Sequence, residues 1–497
     1  MMEEINGGTR VNPVERIELR PGLSISRVLT GLWQVADIEH QKGILDPDVT
    51  SGAMGPYVKA GFTTFDMADH YGSAEIISGN FRKQFTENSG VELFTKWVPK
   101  PGWNHTRDDV RTAVQNSLDR MGSDCLDLLQ FHTWNYADPS WLDCLYWLQE
   151  LKEEGLIGHL GLTNVDTAHL GIVIHSDIEV ISNQVCYSLI DQRAAIAMTD
   201  LCSKHDIKIL AFGTVAGGLL TERWLGAPKP NLDSLDTWSQ MKYWRFIETA
   251  GGWIAFQELL GSVRRVADKH GVSMANVACR YILEQPNVGG IIIGARLGES
   301  DHIQDNLKIF SFSLDEEDFS EIQSAMAELK TIPGDCGDEY RKPPFLTASG
   351  DLSHHFDDSF VPLPYKTEER DDGRSIVLSG TSWEDIAGFS RATRHGSRIL
   401  VSGTTATHRN QVIGGSDPTA QTHFAIDKIE GAIQSLGGRL EDVVRTRIFV
   451  SNIRDWEAVS HAHGQRFREV LPANTLVEAK LVGEEYLVEI EAEAVIP

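Results

Sequence analysis

The stretch FDMADHYGSAE, residues 65–75, starts in a short apolar run and carries two titratable side chains, Asp66 and Tyr71, where that run ends. Two more apolar runs, LFTKW and DLLQFH, end in Lys96 and His132. Apolar runs that end in titratable groups are typical of a parallel barrel, because its catalytic residues lie at the carboxyl ends of the strands. The four residues therefore predict a barrel with an active site at one end.

The region around this stretch alternates between strand-like and helix-like patterns. Eight short runs rich in β-branched and apolar residues predict strands at Ser26–Trp33, Thr63–Ala68, Val91–Trp97, Cys125–His132, Ile157–Asn164, Val180–Ser188, Ile207–Gly213 and Val288–Ala295. Between the third and fourth runs, Thr106 is a suitable helix cap and Gly122 a suitable stop. No GxGxxG turn follows the first run, so we predict an α/β fold of the (β/α)8 TIM barrel type rather than an open doubly wound sheet.

Composition limits the classes of function. The 497 residues include 45 Lys and Arg against 71 Asp and Glu, and this formal charge of −26 disfavours nucleic acid and anionic membranes as partners. Six cysteines without CxxC spacing indicate neither a metal site nor disulfides. No stretch has the pattern of a signal peptide or a membrane helix. We expect a cytoplasmic enzyme or binding protein with a small-molecule partner.

A second compositional pattern begins after the barrel. Residues 331–374 are rich in Pro, Gly, Asp, His and Ser and lack periodicity, which is typical of a linker or a lid. From about 375 we predict strands at 376–380, 386–392, 398–404, 442–450, 475–482 and 486–495, with helices at Asp417–Leu436 and 454–470. This pattern predicts a separate α+β domain. We therefore divide the chain into domains 1–335 and 375–497, joined by a linker or lid at 336–374.

The four barrel residues suit the reduction of a carbonyl group. A tyrosine has an ordinary pKa of about 10, and a neighbouring ammonium group lets it give up a proton by stabilising the phenolate. In this interpretation Tyr71 is the general acid, Lys96 lowers its pKa, Asp66 orients Lys96, and His132 donates a hydrogen bond to the substrate. One such residue alone is usually structural, but four in this order favour a catalytic site.

Six stretches resemble the aldo-keto reductase superfamily over about residues 20–330. They are FDMADHYGSAE (65–75), LFTKW (93–97), DLLQFH (127–132), EEGLIGHLGLTNV (153–165), NQVCYSLI (183–190) and GARLGESDHIQDNL (294–307). The resemblance implies a (β/α)8 barrel. It also implies hydride transfer from NADPH to an aldehyde or ketone, or the reverse reaction on an alcohol or aldose.

The same resemblance implies positions for the nicotinamide half of the cofactor. Asn164 and Gln184 match the side chains that bind the carboxamide, and Phe212 matches an aromatic residue that stacks on the ring. Gly213 and Val215 belong to the loop that passes along the pyrophosphate through its backbone N–H groups. A simple turn is the alternative interpretation of this glycine-containing loop.

The adenosine half and the substrate pocket are implied less completely. Arg296 matches the residue that binds the 2′-phosphate, and Asn306 matches the residue that contacts adenine. His302 stands where many members carry arginine, so NADP(H) is expected as cofactor while NAD remains open. Three tryptophans that follow predicted strands, expected to line the substrate pocket or to be ordinary packing, are Trp33, Trp97 and Trp134.

The second domain resembles the reactive intermediate deaminase family, also called the RidA or YjgF/YER057c/UK114 family. The matching stretches are ILVSGTTA (399–406), LEDVVRTRIFVSNIRDWEAV (440–459) and LPANTLVEAKLVGEEYLVEIEAEAV (471–495). The resemblance implies a chorismate-mutase-like fold, a homotrimer and clefts between subunits. Asn474 replaces the family's carboxylate-binding arginine, which an amide cannot replace as a cationic clamp. Glu491 matches an acidic residue that orients water, or it is an interface carboxylate.

Three functions remain open at this point. The leading one is an NADP-dependent oxidoreductase whose second domain serves oligomerisation and ligand binding. A bifunctional enzyme would couple this redox chemistry to hydrolysis of an imine or enamine. A non-catalytic assembly protein would only bind NADPH, and the complete set of four catalytic residues argues against it. The sequence leaves the substrate and the direction of the reaction open.

Overall fold

The computed structural model describes residues 14–84, 90–100, 105–347 and 363–497. Within these ranges eight parallel strands close into a barrel, and a separate, mostly antiparallel sheet of seven strands follows it. The predicted fold class, a (β/α)8 barrel followed by an α+β domain, is therefore confirmed. The segment 336–374, predicted as a linker or lid, lies partly outside the described residues.

A hairpin that the sequence patterns did not predict precedes the barrel. Strands β1 (Arg16–Arg20) and β2 (Leu23–Ser26) pair antiparallel. Their apolar side chains pack against Leu29, Leu128 and Leu210 of the barrel strands. This contact fills the barrel on the side away from the carboxyl ends of the strands and leaves the carboxyl ends for the site.

The barrel strands follow one another around the barrel in chain order, and the last pairs with the first. They are β3 (Val28–Gly31), β4 (Thr64–Asp66), β5 (Glu92–Trp97), β6 (Leu126–Phe131), β7 (Ile157–Thr163), β8 (Ser182–Cys186), β9 (Lys208–Phe212) and β10 (Val288–Gly294). Each lies inside a run predicted as a strand. Largely apolar runs form these strands because a parallel barrel buries both of their faces.

Helices surround the barrel and extend its core. They are α1 (Trp33–Lys42), α2 (Pro47–Ser51), α3 (Gly55–Ala60), α4 (Ala74–Gln84), α5 (Arg107–Met121), α6 (Ser140–Glu153), α7 (Thr167–Ile174), α8 (Ala197–Lys204), α9 (Trp238–Thr249), α10 (Gly252–His270), α11 (Met274–Leu283), α12 (Ile303–Leu307), α13 (Glu316–Ala327) and α14 (Asp338–Arg341). As predicted, Thr106 caps α5 by accepting from the Asp109 N–H, and Gly122 ends it with φ 58°.

The second sheet has one face covered by helices. Its strands are β11 (Lys366–Glu369), β12 (Arg374–Leu378), β13 (Ala392–His395), β14 (Arg398–Thr405), β17 (Val443–Val450), β18 (Ala473–Glu478) and β19 (Val488–Val495), with the small hairpin β15 (Thr407–His408) and β16 (Gln411–Val412) outside it. The helices are α15 (Ser382–Ala387), α16 (Pro418–Ser435) and α17 (Trp456–Phe467). The strand β11 lies within the range that we expected to be a linker.

One predicted strand of this domain is wrong. Residues 386–392 were predicted as a strand, but α15 occupies Ser382–Ala387 and β13 starts at Ala392. The Glu384 carboxylate accepts hydrogen bonds from the Ser379 and Gly380 N–H groups, which fixes the chain ahead of the helix. Gly388, at φ 67°, then ends the helix.

The two parts of the chain pack directly against each other. Ala420 and Phe424 of α16 belong to the same apolar core as the barrel. His169 of α7 contacts Asp427 of α16 at 2.9 Å, and both side chains are buried. The second domain is therefore joined to the barrel by apolar packing as well as by a buried polar contact.

Candidate active site

The four predicted catalytic residues meet at the carboxyl ends of β4, β5 and β6. Asp66 ends β4, Lys96 lies near the end of β5, and His132 follows β6. Tyr71 comes from the turn after β4. All four line one cavity of about 580 Å³ at the barrel mouth, as the strand-end pattern predicted.

A buried ion pair is the most tightly built contact of this site. Lys96 Nζ donates to Asp66 Oδ2 at 2.5 Å and to the Met67 carbonyl at 2.8 Å. Both side chains are only 4% exposed. Burial lowers the pKa of the Lys96 ammonium, and the Asp66 carboxylate opposes this effect. The Lys96 ammonium lies 5.2 Å from the centre of the Tyr71 ring, so its charge acts on that side chain.

Two glutamines hold Asp66 from the other side. Gln130 Nε2 and Gln184 Nε2 donate to Asp66 Oδ1 at 3.0 and 2.7 Å, and Gln184 Nε2 also donates to Gln130 Oε1 at 2.9 Å. Sequence reasoning assigned no role to Gln130. The sequence does mark Gln130, because it is a polar residue inside an apolar strand. In the structure its side chain is fully buried. Gln184, expected at the carboxamide, thus also fixes the carboxylate that orients Lys96.

One ring nitrogen of His132 lies beside a carbonyl oxygen, which favours hydrogen on that nitrogen. Nδ1 lies 3.3 Å from the Thr163 carbonyl oxygen, which can only accept. In the neutral ring Nε2 is then an acceptor, whereas in the imidazolium form both nitrogens donate. The Trp134 ring packs edge-on against His132 with centres 4.5 Å apart, which keeps the imidazole at the cavity wall.

All eight residues expected to bind the cofactor line the same cavity. They are Asn164, Gln184, Phe212, Gly213, Val215, Arg296, His302 and Asn306. Among the described residues, none is a hydrogen-bond partner for the buried Asn164 Oδ1, as a carboxamide acceptor requires. Gly213 has φ 81°, and a Cβ there would lie 2.6 Å from the Tyr243 hydroxyl. These residues therefore fit a nicotinamide cofactor.

The expected phosphate-binding residue already has two acidic neighbours. Arg296 Nε donates to Glu299 at 2.9 Å, and Nη1 lies 3.3 Å from the buried Asp37 carboxylate. Burial raises the pKa of Asp37, while Trp238 and Arg296 oppose the rise. A 2′-phosphate would have to share Arg296 with these two carboxylates. Their presence would therefore weaken a preference for NADP over NAD.

The three tryptophans expected at the substrate pocket separate in the structure. Trp33 and Trp134 line the cavity, and the Trp33 ring lies 4.9 Å from that of Tyr71. Trp97 instead packs on Phe131 and lines a neighbouring cavity of about 720 Å³. The structure thus brings two of the three to the catalytic residues.

Two residues that sequence reasoning missed complete the cavity wall. Tyr340 of α14 lies edge-on to His132 with ring centres 5.5 Å apart. Its hydroxyl accepts a hydrogen bond from Lys242 Nζ of α9 at 2.5 Å, and Lys242 also lies 4.9 Å from the Phe212 ring. No local pattern around Tyr340 pointed to this position, because α14 lies in the irregular segment after the barrel.

The structure does not bring together the two residues proposed for the second-domain cleft. Asn474 Nδ2 donates to Thr446 Oγ1 at 2.9 Å, and that oxygen also lies 2.9 Å from His463 Nε2. Burial lowers the pKa of His463 to about 4. Glu491 pairs with Arg447 across the sheet at 2.9 Å. Because side chains alternate along a strand, Asn474 and Glu491 point to opposite faces of the sheet.

Comparison with known proteins agrees with this arrangement. Residues 27–327 match the model of the Aldo/keto reductase family. The chain belongs to this family. A relative that agrees in the barrel is the aldo-keto reductase str7 of Strobilurus tenacellus, 26% identical over 56% of this chain and 80% of its own. The protein is therefore an oxidoreductase of the aldo-keto reductase type.

The second domain has its own relatives. Residues 380–496 match the family model described as Endoribonuclease L-PSP. An uncharacterized protein of Streptomyces coelicolor is 39% identical over 24% of this chain and 89% of its own length. A solved structure from Mycobacterium tuberculosis, described as a member of the YjgF/YER057c/UK114 family, is 40% identical over 25% of this chain and 99% of its own, with a TM-score of 0.23. The two family-model matches confirm both family resemblances inferred from the sequence.

Two further structural findings concern membranes and metals. Among the described residues, none of the helices has the length and apolar character to span a bilayer. The same part of the chain contains no cluster of three or more His, Cys, Asp or Glu side chains arranged to hold a metal ion.

Proposed function

We propose that this aldo-keto reductase reduces an aldehyde or ketone with NADPH, or runs the reverse reaction on an alcohol or aldose. The observation that carries the proposal is the buried ion pair of Lys96 and Asp66 beside the Tyr71 ring, in one cavity with His132. Burying two charges costs desolvation free energy. Stabilisation of a phenolate at Tyr71 by the Lys96 ammonium explains why a charge is buried here.

The proposed roles follow from these contacts. Tyr71 gives its hydroxyl proton to the carbonyl oxygen as this oxygen gains negative charge, and Lys96 stabilises the phenolate that remains. Asp66 holds Lys96 in place. His132 forms a hydrogen bond with the substrate carbonyl oxygen and so positions it for the reaction.

The cofactor residues have separate proposed tasks. When bound, the nicotinamide supplies or accepts the hydride. Asn164 and Gln184 would hold the carboxamide, and Phe212 would hold the nicotinamide ring, since all three line the cavity. Gly213 and Val215 present backbone N–H groups to the pyrophosphate.

The adenosine end decides between the two cofactors. We assign Arg296 to the 2′-phosphate, with His302 and Asn306 beside it, and we favour NADP(H) because a guanidinium binds phosphate with two parallel hydrogen bonds. Glu299 and Asp37 weaken this preference, since they already neutralise Arg296.

The substrate is proposed to bind between aromatic side chains. Trp33 lines the cavity beside Tyr71, and Trp134 lines it beside His132. Aromatic walls suit an apolar carbonyl compound or the face of a sugar. We propose that Trp97 contributes only indirectly to the substrate pocket, because it packs against Phe131 and does not line the cavity.

The second domain is proposed to assemble the protein as a homotrimer and to bind a small molecule. We divide the chain into a barrel (1–335), a connecting segment (336–374) and the second domain (375–497). Asn474 offers an amide where the family's arginine would bind a carboxylate, so this site favours a neutral ligand. Within a cell we place the protein in the cytoplasm.

A bifunctional enzyme remains the second candidate for the chain as a whole. The hydrogen-bonded row of Asn474, Thr446 and His463 favours it, because three polar side chains then lie together on one face of the sheet. Hydrolysis of an imine or enamine by the native protein, lost in Asn474→Ala and His463→Gln, would support this candidate.

One experiment tests the redox proposal directly. Carbonyl compounds are screened with NADPH, and alcohols and aldoses with NADP and NAD, by following absorbance of the reduced nicotinamide. Turnover of a carbonyl or alcohol substrate supports the proposal. Firm binding of NADPH with no turnover across the panel would favour the non-catalytic assembly protein instead.

A further inference from the structure

An arginine beyond the family's matched range reaches the cofactor end of the barrel. Family similarity ends at residue 327, and α14, Asp338–Arg341, comes after it. The Arg341 guanidinium turns back onto the carboxyl ends of β6 and β7, the two strands that lead to His132 and Asn164.

Its hydrogen bonds join the two strand ends. Arg341 Nε and Nη2 donate to the Thr133 carbonyl at 3.1 and 2.6 Å. Nη1 donates to the Asn164 carbonyl at 2.7 Å. A guanidinium has five N–H donors in a fixed plane, so one side chain fixes the backbone directly after His132 and at Asn164 itself.

The contact with Arg341 falls on a distinct backbone conformation. Asn164 has a φ of 57°, in the left-handed region, which asparagine adopts more readily than other residues with a side chain. The peptide orientation that Arg341 fixes also sets the direction of the Asn164 side chain, whose Oδ1 is buried and has no partner among the described residues. Gly337 permits this approach, because a Cβ there would lie 2.0 Å from the Asn164 carbonyl oxygen.

Arg341 is itself held by a buried stack of rings. Its guanidinium carbon lies 4.3 Å from the centre of the Tyr136 ring. Tyr136 stacks on His169 with ring centres 3.4 Å apart, and His169 bonds Asp427 of the second domain. The contacts thus form an unbroken packed series from α16 of the second domain to the Asn164 carbonyl.

We propose that Arg341 is a positioning residue of the cofactor site, which aims Asn164 Oδ1 at the N–H group of the nicotinamide carboxamide. The inference rests on the proposed function, because it requires a nicotinamide cofactor in the barrel. The segment between the barrel and the second domain would then take part in cofactor recognition. This role depends on the packing of the second domain against the barrel.

The test measures binding rather than turnover. Affinities for NADPH and for reduced 3-acetylpyridine adenine dinucleotide phosphate, whose methyl ketone lacks the amide N–H, are measured by quenching of protein fluorescence. The native protein should prefer NADPH by about three- to tenfold, the value of one hydrogen bond. In Arg341→Met the affinities for the two nucleotides should differ by no more than about twofold. Asn164→Ala removes the side chain that makes the hydrogen bond and gives the affinity ratio expected without it. The neighbouring, exposed Lys342→Met is the matched control and should keep the native preference.

Each possible result either supports or overturns the role proposed for Arg341. A native-like preference in Arg341→Met would overturn the inference and leave the proposed function intact. If that variant does not fold, Arg341→Lys decides, because a lysine keeps the charge but lacks the planar set of donors that holds the Thr133 and Asn164 carbonyls in a fixed relation. A reduced preference supports the inference and a native one overturns it. A native protein that binds neither nucleotide would overturn the proposed function and the inference together.

Discussion

Lys96 and Asp66 illustrate how one contact serves both chemistry and stability at the scale of single residues. Each side chain is 4% exposed, and charges leave water at a cost that only good geometry offsets. Two amide groups, from Gln130 and Gln184, complete the shell around the carboxylate. Removing only one charge therefore leaves the other buried without compensation.

An uncompensated charge at this ion pair would affect stability and catalysis separately. Lys96→Met should lower the free energy of unfolding by about 3 kcal/mol and abolish turnover. The double variant Asp66→Asn, Lys96→Met should regain most of the stability without regaining turnover, because no uncompensated charge remains. Denaturant unfolding and NADPH oxidation measure the two quantities, and recovery of turnover in the double variant would contradict the role given to Lys96.

A second residue-scale prediction concerns cofactor choice. Glu299→Gln removes one of the two carboxylates on Arg296 and should tighten NADPH binding by up to about fivefold, in line with the strength of exposed ion pairs. NADH binding should change by less than about twofold, because NADH lacks the 2′-phosphate. Glu317→Gln, at a side chain 89% exposed, controls for net charge. Equal changes for both cofactors would show that Arg296 does not bind the phosphate.

At the scale of elements, apolar runs bounded by turn residues predicted every barrel strand, because a parallel barrel buries both strand faces. Strand ends then predicted where Asp66, Lys96 and His132 meet. Sequence reasoning missed residues whose position depends on packing between distant elements. Tyr340 and Arg341 reach the site from a segment without periodicity, and only the folded chain places α14 beside β6 and β7.

The contact between α7 and α16 gives a prediction about pH. Burial lowers the pKa of His169, but the carboxylates of Asp166 and Asp427 outweigh it and raise the pKa to about 8. Arg466 donates a hydrogen bond to Asp427. Burial lowers the pKa of the nearby His423 to about 4, so that side chain stays neutral over this range of pH. A pKa raised on folding stabilises the protein below the unfolded value of about 6.5 and loses this effect as pH rises through 8.

Denaturant unfolding between pH 6.5 and 9 measures this effect. The native protein should lose about 2 kcal/mol of stability over that range relative to His169→Gln. His395→Gln, at an exposed histidine of β13, is the matched control and should follow the native curve. Identical pH dependence of native protein and His169→Gln would show that the α7–α16 contact does not depend on the charge of His169.

At the scale of the whole molecule, the outer face of the second sheet is the proposed assembly surface. The register places Leu400, Val477 and Glu491 on the face away from the helices, since Val401 and Ile490 of the same strands are buried against them. Leu400 and Val477 are 42% and 44% exposed. This face also carries Glu491 and its partner Arg447. Exposed apolar side chains among paired charges are suited to contact with further copies of the chain.

Sedimentation of the full-length protein tests the assembly. The native protein should sediment as a trimer, and Leu400→Arg should shift it toward monomers because a charge then lies in the contact. Ile386→Arg changes another exposed apolar side chain, on α15, and should remain trimeric. A monomeric native protein would contradict the proposed role of the second domain in assembly.

The measurement that tests the central claim most directly compares native protein with Tyr71→Phe, once a substrate is known from the carbonyl screen. Both proteins are given NADPH, and its binding is followed by fluorescence while its oxidation is followed by absorbance. We predict that the variant binds NADPH within about twofold of the native affinity but loses turnover by at least about a hundredfold, the size of a general acid's contribution. Turnover near the native rate in Tyr71→Phe would contradict the proposed mechanism.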